Sequence, residues 1–178
     1  MTNDDQQDSR AQRTRLAVFN AFRELVLSRR YDDIRVADII DGAGVGRSTF
    51  YEHFNSKDDV LLTSIEPLFI VLAGIPGGRA ERDRVRFVLA HFWEQRAFAR
   101  IIFQGALFEK LTRKLMEMIE QRDNDTAPAR ARLHAVSNAA SILGIIRAWL
   151  SGEFSMPVDE LVAHLIGVQS PAQENRTG

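Results

Sequence analysis

Apolar positions in this chain recur at helical spacing almost from end to end. Val18, Phe19, Phe22, Leu25 and Val26 fall on one face of a helix. A short apolar segment follows from Val36 to Gly42, with Ile39 and Ile40 at its centre. The stretch Ala43-Gly44-Val45 separates it from a second short helix that runs to Phe54 and breaks at Asn55. Ser56 and Asp59 have the spacing of a capping box, which predicts a longer helix starting there and running towards Ala73. Pro67 lies inside that helix and is expected to bend it or cut it short. The run from Gly74 to Arg79, with Pro76 and two further glycines, is the clearest loop. Beyond it the pattern predicts helices near 80–95, 97–105, 107–123, 128–151 and 157–168. Pro128 and Pro157 fit first helical turns, where a missing N–H costs nothing. No stretch shows period-two alternation, and no segment repeats. The fold class is all-α. Residues 1–9 and 170–178 read as disordered tails, 10–57 as a helix-turn-helix domain and 58–169 as a helical body.

Composition narrows the function more than the fold. The chain has 178 residues, 45% hydrophobic and 26% charged, enough for one domain or two small ones sharing a core. It has no cysteine, which excludes disulfides and thiolate metal sites. The acidic, polar start lacks the apolar segment of a signal peptide. No apolar run reaches the roughly 18 residues that a bilayer span needs. The expected location is therefore the cytoplasm, with no membrane partner.

The net charge of −1 conceals an asymmetry. Arg10, Arg13, Arg15, Arg23, Arg29, Arg30, Arg35, Arg47 and Lys57 make the front end net basic, and the remainder is slightly acidic. A basic head on a faintly acidic body suits a nucleic-acid-binding head on a body with another task, although a solvated surface shows the same mild excess. Enzyme signatures are missing: there is no P-loop, dinucleotide glycine fingerprint, HExxH or Ser-His-Asp order. His91 and Glu94 lie three apart on one helix, but no third ligand accompanies them, and His134 and His164 add nothing sharper. Neither catalysis, a metal nor a cofactor is expected.

The segment from Ala43 to Lys57 carries the sharpest signal. Two short helices joined by a tight turn with Gly44 at its centre describe a helix-turn-helix. On a helical wheel Phe50 and Phe54 face inward, towards Ile39, Ile40 and the first helix. Ser48 and Glu52 fall opposite, flanked by Thr49 and Tyr51, with His53 further along. Arg47 sits in the first turn, the part of a recognition helix that reaches base edges. Lys57 starts the next helix, where its ammonium and the exposed N–H groups suit a phosphate. The candidate DNA-binding residues are thus Arg47, Ser48, Thr49, Tyr51, His53 and Lys57. The bland alternative is a plain wet helix face over a Phe ridge.

The stretch from Arg35 to Leu61 resembles the DNA-binding signature of the tetracycline-repressor (TetR) family of bacterial transcriptional regulators. The resemblance lies in Asp38-Ile39, Ala43-Gly44-Val45, Thr49, Tyr51, Phe54 and Ser56-Lys57. It is specific over about residues 10–61, and the all-helical remainder agrees with it in length and architecture. Arg35 stands where the family often has a capping Thr, Gly46 where Ser is usual, and Ser48 where Gly is common. These departures bear on the operator sequence rather than on the fold.

The resemblance implies a homodimer that binds a palindromic operator in double-stranded DNA and represses transcription until a small molecule enters the body and releases it. A protein of the same kind governed by a protein partner instead is the alternative. The sequence supports the dimer separately. Between His134 and Leu150 apolar residues occupy more than one helix face, with small residues among them, and the last helix carries an unbroken apolar stripe. Ala139, Ala140, Leu143, Val158, Leu161, Val162 and Leu165 are the candidate interface, with closure of a monomer core as the alternative. For an apolar or aromatic effector, the candidate pocket residues are Phe69, Phe92, Trp93, Phe103, Phe108 and Trp149. Any one of these, taken singly, fits plain core more readily.

Overall fold

A computed structural model describes the backbone of residues 3–123 and 127–169 and the side chains of residues 8–123 and 127–167. Among the described residues every regular element is helical. The chain divides into two compact units, Met1–Glu66 and Pro67–Gly178.

The first unit opens with α1, Asn3–Ser28. This helix takes in residues 3–9, which composition alone reads as a tail. Once a packed segment nucleates a helix, each added residue contributes a further backbone bond, and Arg13 reaches back to the Ser9 carbonyl and hydroxyl at 3.3 and 3.1 Å. Residues 1–2 of that expected tail, and all of 170–178, lie outside the described residues. A 3-10 turn at Tyr31–Asp33 leads to α2, Val36–Ala43, and α3, Arg47–His53. Val18, Ala21, Phe22 and Val26 of α1 are buried, as are Ile34, Ile39, Phe50 and Phe54. A Cβ on Gly42 would stand 3.3 Å from the Ala21 Cβ, so the glycine lets α2 lie close against α1.

The long helix α4, Lys57–Leu72, runs through Pro67 instead of ending there. Its start has the expected cap: the Asp59 N–H donates to Ser56 Oγ at 3.1 Å, and the Asp59 carboxylate accepts from the Asn55 N–H at 2.9 Å. Composition places the domain boundary at 57/58, whereas the first unit extends to Glu66. The reason is that Lys57 and Asp58 are bonded back to Tyr31, which holds the first turn of α4 to the head.

The second unit holds α5 (Arg82–Glu94), α6 (Arg96–Ile102), α7 (Gly105–Glu120), α8 (Pro128–Ser151) and α9 (Val158–Gln169). Leu107, Leu111, Leu115 and Ile119, four apart along α7, form a buried stripe that faces α8. The predicted loop at 74–79 is present as turns. By length and composition α8 is apolar enough to cross a bilayer, contrary to the expectation of no such run. Its apolar content has another use, because Ala131, Ala135, Ala139, Ile142, Leu143 and Ile146 are buried in this core. On α9, Leu161, Val162 and Leu165 are buried, and the helix packs on α5. Asp159 clamps the pair, accepting from Arg86 Nε at 2.9 Å through its carboxylate and from Arg82 Nη2 at 3.2 Å through its carbonyl.

Candidate nucleic-acid interface

The turn between α2 and α3 follows from one residue. Gly44 takes φ 62°, ψ 32°, the left-handed conformation that L side chains rarely adopt. With it there, the Gly44 N–H reaches Asp41 O at 3.2 Å and the Val45 N–H reaches Ile40 O at 3.3 Å, which satisfies the last carbonyls of α2. At the other end of α2, Arg35 cannot cap, since a guanidinium has no acceptor. The Asp38 carboxylate supplies what it can, accepting from the Arg35 N–H at 2.8 Å and pairing with Arg29 at 3.5 Å. Gly46 opens α3 without a side-chain cap.

Phe50 and Phe54 hold α3 in place. Both are buried, their centroids lie 5.6 Å apart, and Phe54 meets Phe19 of α1 edge-on at 5.6 Å. Sinking that side leaves Arg47, Ser48, Tyr51 and Glu52 exposed, with Thr49 and His53 half-buried. The Arg47 guanidinium lies 5.7 Å from the centre of the Tyr51 ring, one helical turn on, so the two make a joint polar and aromatic surface.

Lys57 does not join them. Its ammonium lies 2.7 Å from the Tyr31 carbonyl, 3.0 Å from that of Ile34 and 3.4 Å from that of Asp32, and sits 4.5 Å from the Tyr31 ring centre. An ammonium has three donors, and all three have acceptors here. In this structure the Lys57 ammonium braces the loop before α2. Beside it the Tyr31 hydroxyl donates to the Asp58 carboxylate. Burial, with that bond and the neighbouring carboxylates, pushes the Tyr31 phenol well above its ordinary range. Composition gives no sign of this brace, because its acceptors are backbone carbonyls.

The model of bacterial regulatory proteins of the tetR family matches residues 20–63, which span the last third of α1, the 3-10 turn, α2, α3 and the start of α4. That head segment is what this chain shares with the tetR family. The helix-turn-helix regulator EthR of Mycolicibacterium smegmatis is 40% identical over 52 residues, which are 29% of this chain and 24% of that one. The match thus spans about a quarter of its length. A TetR regulator from Streptococcus agalactiae has the same fold, with TM-score 0.57 and 24% identity over 94% of this chain and 99% of that one. NalD, the secondary repressor of the MexAB-OprM multidrug efflux pump in Pseudomonas aeruginosa, aligns with TM-score 0.53 and 22% identity over 92% and 95% of the two chains.

In the body, the structure places the candidate pocket and interface residues as follows. The six aromatics named for an effector pocket line none of the three body cavities described here. Phe69, Phe92, Phe103 and Trp149 are buried. Trp93 stacks on Trp149 at 4.7 Å, and Phe92 meets Phe103 edge-on at 5.4 Å. The Trp149 indole N–H donates to Met156 O at 3.0 Å, and Phe108 lies under the Arg147 guanidinium at 4.8 Å. These three cavities lie around the end of α4 and the turns that follow it, where the sequence marks Pro67 and the 74–79 loop but no pocket.

The other set is the expected interface. Ala139, Leu143, Leu161, Val162 and Leu165 are buried within the single chain, and Val158 is half-buried. Ala140 alone of the seven is exposed. An apolar helical stripe states that a face is covered but not by which chain. Among the exposed apolar residues of α8, Leu133, Val136 and Ala140 are spaced i, i+3, i+7 on one face.

Proposed function

We propose that this protein is a cytoplasmic transcriptional regulator that acts as a homodimeric repressor, released from a palindromic DNA operator by a small molecule. The observation that carries the reading is the outward row Arg47, Ser48 and Tyr51, on a helix anchored from behind by Phe50 and Phe54. In a helix-turn-helix the first turn of the second helix reaches base edges, and an arginine there pairs with guanine through two parallel bonds. Tyr51 and Ser48, with hydroxyls flanking that arginine, fit contacts to the sugar-phosphate backbone. One head reads only a half-site, so specificity needs two linked heads about 34–36 Å apart. The exposed apolar row Leu133, Val136 and Ala140 on α8 supports pairing of the bodies. Repression is read by analogy with NalD.

Selection of bound duplexes from random DNA tests the reading. The expected product is a palindrome whose half-sites change when Arg47 is replaced. Failure of the full-length chain to enrich any sequence would remove it.

A further inference from the structure

Arg79 and Arg122 each border two cavities at the end of α4. Arg122 Nη1 donates to the Ile70 carbonyl at 2.8 Å, one of the last α4 carbonyls, which lack partners within the helix. Arg79 Nη1 in turn donates to the Arg122 carbonyl at 3.1 Å. A guanidinium carries five N–H donors, so one bond apiece leaves each fork able to take a further acceptor. With Arg84 they line a cavity of about 300 Å³ whose one acid is Glu81, itself paired with Arg84 at 3.3 Å. Three guanidiniums against one carboxylate leave this cavity cationic.

Next to it lies a second cavity of about 360 Å³, bordered by Pro67, Leu68, Val71, Phe87 and Val88, with the Asp83 carboxylate and Arg84 at its rim, so that the two cavities together hold three guanidiniums against two carboxylates. Val71 and Arg84 line both. Phe87 is 66% exposed at the edge of this cavity, with His91 stacked beside it at 6.3 Å, so its ring offers apolar surface to an occupant. The volumes lie at the lower end of the roughly 300–1,000 Å³ of small-molecule sites.

We propose that the two cavities form one site for an amphipathic anion, with its carboxylate on Arg79 and Arg122 and an unbranched apolar tail along Val71, Leu68 and Phe87. A planar guanidinium matches a carboxylate through two parallel bonds, whereas a neutral apolar compound leaves the arginines unanswered. A carboxylate on Arg122 shares that guanidinium with the Ile70 carbonyl. The ligand is thereby tied through Arg122 to the last turn of α4, the helix whose first ten residues belong to the head. Binding itself requires only the body, and its effect on DNA rests on the regulator reading above.

Calorimetric titration of the full chain with decanoate, decan-1-ol and acetate tests the site. Decanoate should bind about 10- to 100-fold more tightly than decan-1-ol, the ratio expected for a charge-assisted hydrogen bond, and acetate should give no measurable heat. Arg122→Gln and Arg79→Gln should each remove most of that preference. Phe87→Ser, on an exposed side chain that folding does not need, should weaken decanoate while leaving the melting temperature within a few degrees. Decanoate binding no tighter than decan-1-ol, or unchanged in all three variants, would overturn the proposal, as would the absence of binding. If decanoate binds as expected and selected DNA is held equally well with and without it, the site stands and the effector role falls.

Discussion

Arg47 and Lys57 carry the same charge ten residues apart, yet their surroundings give them opposite roles. Arg47 is exposed in the first turn of α3, beside Tyr51. Arg47→Ala is expected to change preference among operator variants by about 1–3 kcal/mol at one base position, measured by competition between duplexes differing there. Lys57 is committed to three backbone carbonyls. Lys57→Met should lower head stability by about 1–3 kcal/mol in urea denaturation. It should leave the salt dependence of DNA binding alone, and a slope shallower by about 0.9 would instead mark Lys57 as a phosphate contact. Tyr31 adds a pH signature. Its folded pKa is raised, so the neutral phenol is favoured in the folded state. Its contribution is then complete below the ordinary tyrosine pKa of about 10 and is lost as pH rises above it, where the unfolded chain ionises first. Tyr31→Phe should flatten the fall in stability between pH 9 and 11, and an unchanged alkaline slope would show that the loss arises elsewhere.

At the scale of elements, the helix-turn-helix is the part most legible in the sequence, because its determinants are local. Gly44 marks a left-handed turn, Phe50 and Phe54 mark the inward face of α3, and Ser56 with Asp59 marks the start of α4. Long-range partners decide the rest. The residues of α1 before Arg10 carry no apolar stripe and read as a tail, although they continue a helix that Val18 and Phe22 anchor. Pro67 reads as a bend or an end, and α4 continues past it to Leu72. Gly44 gives the clean test of the local argument. A Cβ added there meets nothing within 4 Å, so any penalty for Gly44→Ala is backbone strain alone. The expected cost is about 1–2 kcal/mol, and Gly44→Asn should cost less because Asn tolerates that conformation. Equal stability of all three in urea denaturation would mean that the turn relaxes to another geometry.

For the whole molecule, the same apolar periodicity serves two purposes that sequence alone cannot separate. The stripe on α9 and most of the α8 candidates close the core of one chain, since Leu161, Val162, Leu165 and Leu143 are buried without a second copy. The aromatics likewise pair with one another, and the cavities fall where backbone ends and arginines meet. The outer row of α8 stays exposed and is the face the pairing reading assigns to a partner. Leu133 is 63% exposed and Val136 44% exposed. Replacing both with Glu puts charge on solvent in a monomer, at little cost to folding, but buries it unpaired in a dimer. The double variant should therefore keep its helical circular dichroism and melting transition while shifting to monomer in sedimentation at micromolar concentration. Leu161→Glu, by contrast, places a charge in the core of one chain and should unfold it. Because two half-sites one helical turn apart need two linked heads, the double variant should also lose operator affinity while its head stays intact. A double variant that sediments as a dimer and holds the operator normally would show that the bodies pair through another face.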